Sequence, residues 1–263
     1  MSEDENIISD AAKEVIGEIY SDAAHPAMKA IGNIVALPFQ AIDAALSTPK
    51  LWVLERQYNF ERTRNILAEK LKDVSPDKIV PPDNYVAVPA LQQISYCFDS
   101  DELRNMYANL LAASMQSDKK WGIHPAFVDI IKQLTPDEAK ILKKIPPNMY
   151  SYLPVLDVHI KDKNSGGFNV IYSNYSDIAE KICDYPQNIC AYLENLDRLK
   201  LIELDKDTFL TNNEVYDNLK LSPKIQKITS GVLAENKVYD FKCGCFRLTS
   251  FGLSFVKMCI LGD

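Results

Sequence analysis

WGIHPAFVDIIKQLTPDEAKIL, residues 121–142, sets two helix starts in close succession. Pro125 suits a first helical turn, because its missing N–H would have no helical partner there, so His124 takes the cap or the position before it. Phe127, Ile130, Ile131 and Leu134 recur at three and four residues, the spacing of one buried helix face. Thr135, Pro136 and Glu138 then have the spacing of a capping box, with Thr135 as N-cap, Pro136 at the first helical position and Glu138 three residues on. Helix, sharp turn, helix is predicted. The tripeptide His-Pro-Ala recurs at His25-Pro26-Ala27, and both histidines read as structural.

Toward the N-terminus, DSDELRNMYANLLAASM offers Asp99 or Ser100 as N-cap, with Asp101 and Glu102 near the positive end of the helix dipole. Leu103, Met106, Tyr107, Leu110, Leu111 and Ser114 are its predicted core face, and mid-helix Asn109 reads as a buried hydrogen-bonding residue. A helix from about Val88 to Phe98 is expected, with Pro89 in its first turn. Ser75-Pro76 and Pro81-Pro82 make the preceding linker extended. A long amphipathic helix is predicted over 51–73 and a shorter one over 10–20. Residues 30–46 are almost uncharged apart from Asp43 and contain Pro38, a segment too short for a confident membrane span but apolar enough to lie on a bilayer. Trp52 and Trp121 read as packing anchors.

Beyond Pro146-Pro147, LDVHI at 156–160 alternates as a half-buried strand does, which directs His159 toward solvent with Asp157 and Lys161. Ser165-Gly166-Gly167 supplies a turn and 168–172 a returning strand. A short helix from Ser176, a turn at 184–186, a helix to about Leu199 and a strand at 201–204 follow. The strand's expected partner lies in CFRLTSFG, 245–252, ahead of a final helix, and 206–241 reads as a loop or long wing. The order is that of a winged helix. The expected fold is therefore mainly α (α+β), an N-terminal helical domain followed by a C-terminal winged-helix-like domain with small antiparallel strands. The expected divisions are 1–50, 51–145 and 146–263.

The formal net charge of −7 over 263 residues disfavours non-specific binding to phosphate backbones, which depends on clustered Lys and Arg. From Thr135 onward 16 Lys or Arg face 17 Asp or Glu, so the winged-helix-like part has no basic excess and nucleic acid is not the expected partner. Six cysteines without a basic, apolar leader suit a reducing, cytoplasmic setting. Cys243-Gly-Cys245 lacks both the spacing and the second pair of a zinc site, so no metal is expected. No phosphate-cradling glycine loop and no nucleophile elbow occurs. An Arg, four residues, His arrangement starting at Arg104 fails, because Asn109 and Leu110 stand where the histidine would be. Catalytic residues, cofactors and a small-molecule substrate are not expected.

The segment from about Val80 to Ile145 resembles the abortive infection alpha family of bacterial proteins. The likeness is carried by IVPPDNYVAVPALQQISYCFDSDELRNMYANLLAASM, 79–115, and HPAFVDIIKQLTPDEAKIL, 124–142. Leu103, Tyr107, Asn109 and Leu110 match the first block, and His124, Pro125, Phe127, Leu134, Pro136 and Glu138 the second. LTSFGLSFVKMCI, 248–260, resembles the ending of many members. The resemblance implies bacterial origin and a place in phage defence, and supplies no catalytic residues. The expectation is a non-enzymatic effector or sensor working through a protein partner or self-association. A membrane-active effector using residues 30–46, with peripheral membrane association, is the alternative, and a DNA-binding regulator the third.

Overall fold

The computed structural model describes residues 64–94 and 100–262. The expectations for residues 10–20, 30–46 and 51–63, and for His25, Trp52, Cys97 and Phe98, lie outside the described residues. The chain divides into two compact units, one ending at Gln133 and the other spanning Leu134–Leu261, with Gly262 counted in the first.

In the first unit, residues 64–71 are helical and bury Leu67 and Leu71, one turn apart. The linker then makes a 3₁₀ turn, Pro76–Lys78, and runs extended: Val80 N–H donates to the Met115 carbonyl at 2.9 Å and Ser117 N–H to the Lys78 carbonyl at 2.9 Å. Helix α1 is Asn84–Ile94, with Pro89 inside it rather than in its first turn. The start lies earlier than expected because the Asp83 carbonyl accepts from both Val86 and Ala87 N–H.

Helix α2, Asp101–Ser114, is capped by the Ser100 hydroxyl, which accepts from Leu103 N–H. Leu103 itself is half-buried, while Arg104, at 2% exposure, is enclosed and paired with Asp101. The helix is buried nearly all round because α1 and α3, Ala126–Lys132, both pack on it. Tyr107 fixes α2 to α3 by donating its hydroxyl to the Val128 carbonyl at 3.2 Å. Trp121 is no packing anchor: it lies 84% exposed in a 3₁₀ turn, its indole N–H donating to the Asp118 carbonyl.

The second unit opens with α4, Pro136–Lys144, whose capping box forms as read from the sequence. A four-stranded antiparallel sheet follows, in the order β2-β1-β4-β3. Its strands are β1 Leu153–Asp162, β2 Phe168–Tyr175, β3 Ile202–Asp205 and β4 Lys237–Leu248. The β1–β2 turn uses Gly166 at φ 73° and an Asp162 carboxylate that accepts from Asn164 and Ser165 N–H. The helix expected from Ser176 is only a 3₁₀ turn, Asp177–Ala179, with no side-chain cap.

Helix α5, Ile189–Arg198, buries Ile189, Tyr192, Leu193 and Leu196. It ends in a Schellman motif: Leu201 N–H reaches the Leu196 carbonyl at 3.0 Å and Lys200 N–H the Asp197 carbonyl at 2.9 Å, with Lys200 left-handed at φ 57°. The stretch expected as a loop or wing holds two helices, α6 Glu214–Lys220 and α7 Pro223–Ile228, and then the start of β4. Ser222 caps α7 and Pro223 begins it, a signal present in the sequence, and Tyr216, Leu219 and Ile225 are the buried residues that hold the pair down. Helix α8, Ser250–Phe255, passes into a π-helical turn, Val256–Leu261.

Candidate functional site

The family-motif residues sit at caps and in cores. Tyr107, Leu110, Phe127 and Leu134 are buried. Asn109 is buried in the middle of α2. The His124 ring stands 6.0 Å from that of Phe127, and its Nδ1 accepts from Ala126 N–H at 3.1 Å, with Pro125 already in helical conformation. Glu138 accepts from Thr135 N–H at 2.6 Å with one carboxylate oxygen, and from the Asn195 side chain at 2.7 Å with the other.

Beside Glu138, Asp137 organises the second unit, a role its position in the first turn of α4 did not reveal. Its carboxylate accepts from Asp184 N–H at 2.8 Å, Tyr185 N–H at 2.9 Å and the Tyr192 hydroxyl at 3.0 Å, with Lys140 alongside. Burial alone would raise its pKa, but these donors outweigh burial and hold the carboxyl below its ordinary value. The Tyr192 phenol is pushed up to about 12, chiefly by burial and further by Asp137.

On the sheet, the expectation that His159 faces solvent is overturned. β1 lies between β2 and β4, and on its polar row Asp157 and His159 are buried while Lys161, at the hairpin end, is exposed. His159 is 4% exposed and stacks on Phe168 with ring centroids 4.5 Å apart. Among the described residues its Nε2 has no hydrogen-bond partner. Next on that row, buried Asp157 is paired with Lys206 and accepts Asn174 N–H at 2.8 Å. Asn174 sits at φ 55° where the β1–β2 register shifts, and its amide reaches Glu194 of α5 at 3.0 Å. The alternation of β1 was legible; the pairing that buries Asp157 and His159 was not.

The reactive side chains are held in their neutral forms. Burial raises the thiols of Cys183 (to about 11), Cys190, Cys243, Cys245 and Cys259, so all five described cysteines are protonated at neutral pH. Burial likewise raises the Tyr172 phenol, which lies beside the Cys190 thiol, and the Tyr175 phenol, whose hydroxyl donates to Glu180. Among the described residues no group of three or more His, Cys, Asp or Glu could hold a metal ion.

What stands out at the surface is an edge. β2 pairs with β1 alone, and the first half of the strand is exposed, with Phe168 at 57%, Val170 at 52% and Ile171 at 40%. Val238, opposite Lys161 on β4, adds a fourth exposed apolar side chain near the same end. The whole of β2, FNVIYSNY, contains no charged residue and no proline, so it lacks two devices that commonly protect a sheet edge from pairing. Sequence reading missed this edge because the strand order that exposes it depends on β4, which is distant in sequence.

The fold and surface define an α+β protein with two capped, close-packed units and one uncharged strand edge. The chain belongs to the abortive infection alpha family, which it matches over residues 55–259. No curated protein matches it. Among solved structures it is similar to an uncharacterized protein from the hydrocarbon-degrading marine bacterium Alcanivorax borkumensis SK2. The identity is 18% and the TM-score 0.34, over 54% of this chain and 94% of that one.

Proposed function

We propose that this abortive infection alpha protein acts in phage defence as a non-enzymatic effector or sensor, through protein contacts made by the second unit. The observation that carries the reading is the exposed, uncharged edge strand β2 with Phe168, Val170 and Ile171 outward. Exposed apolar groups cost solubility unless something covers them, and a strand edge offers unpaired backbone groups to a partner as well. Thiols and phenols raised by burial accord with this reading, since none is poised as a nucleophile at neutral pH.

The second unit reads as winged-helix-like: α4, β1, the 3₁₀ turn 177–179, α5, β3 and β4 follow in that order, with the β2 hairpin arm and α6–α7 added. The helix in the recognition position, α5, exposes Glu194 engaged with Asn174 and Arg198 engaged with Asn195. That leaves no basic face for DNA, which favours the protein-contact reading over a regulator.

The test is phage challenge of bacteria producing the wild-type chain or the variant Phe168→Lys plus Val170→Lys. Wild type should protect and the variant should not, at equal protein level. A purified chain that turned over a substrate would end the non-enzymatic reading. A second reading rests on the low charge of residues 30–46, with that segment acting on membrane; among the described residues no helix is long and apolar enough to cross one. Leakage from liposomes with the full chain but not with residues 1–50 deleted would favour it.

A further inference from the structure

We draw no further inference here: the strongest candidate, the exposed and uncharged first half of the β2 edge strand with Phe168, Val170 and Ile171 outward, is the surface already described, and nothing in the structure shows what covers it.

Discussion

Gly252 lies against Leu201 so closely that a Cβ on residue 252 would stand 1.8 Å from the Leu201 carbonyl oxygen. Thr249 makes the same junction from its other side, donating its hydroxyl to the Lys200 carbonyl at 2.6 Å and its N–H to the Leu201 carbonyl at 3.1 Å, while its Oγ1 accepts Gly252 N–H at 2.8 Å. The LTSFG ending thus has a physical reason: a cap and a contact with no room for a methyl group lock α8 onto the start of β3. Gly252→Ala should destabilise the protein by at least about 2 kcal/mol, since backbone cannot yield as a side chain does. Thermal unfolding should show it as a midpoint lowered by about 4–8 °C; an unchanged midpoint would refute the close contact.

Asp137 is the next sensitive position. Asp137→Ala leaves Asp184 N–H, Tyr185 N–H and the Tyr192 hydroxyl without their acceptor, at a cost of about 2–5 kcal/mol. Because the folded state holds this carboxyl below its ordinary pKa, its contribution is present above the unfolded carboxylate pKa and is lost as pH falls through the lower folded value. Urea unfolding across that acidic range should lose stability more steeply in the wild type than in Asp137→Asn. Equal slopes would show that Asp137 does not carry the linkage.

Lys200 occupies the left-handed position that closes α5. Glycine adopts that conformation without the Cβ penalty, so Lys200→Gly should stabilise by about 0.5–1 kcal/mol. Its ion pair with Asp197 is exposed and long, at 3.5 Å, and its loss subtracts little. A destabilised variant in chemical denaturation would count against the motif.

The capping residues of the motif should act through stability alone. His124→Ala removes the acceptor for Ala126 N–H, and Thr135→Ala removes half of the capping box, each costing about 1 kcal/mol. Phage protection at equal protein level should be unchanged in both; loss of protection by the folded His124→Ala protein would make His124 a functional residue.

The elements with local causes were legible in the sequence. The Thr135-Pro136-Glu138 capping box, the Ser100 cap and the Gly166 turn need only neighbouring residues, and they stand where the spacing placed them. What was missed depends on distant partners. His159 alternates as a solvent-facing residue, but its burial is made by Phe168 across a hairpin and by the central place of β1. Arg104 was weighed only as the start of an Arg, four residues, His arrangement, and its burial was not foreseen: a helix packed between two others encloses it. The helices α6 and α7 lie in a polar segment whose few apolar residues, Tyr216, Leu219 and Ile225, suffice to anchor them. The β2 edge could not be read before the strand order was known.

We propose that defence runs through the β2 surface rather than through a reaction. Phage plating efficiency on cells producing the Phe168→Lys plus Val170→Lys chain measures it most directly, with wild type and His124→Ala alongside at matched protein level. Reduced plaque formation is expected on wild-type and His124→Ala cells and full plaque formation on the β2 variant. Protection by the β2 variant equal to wild type would contradict it.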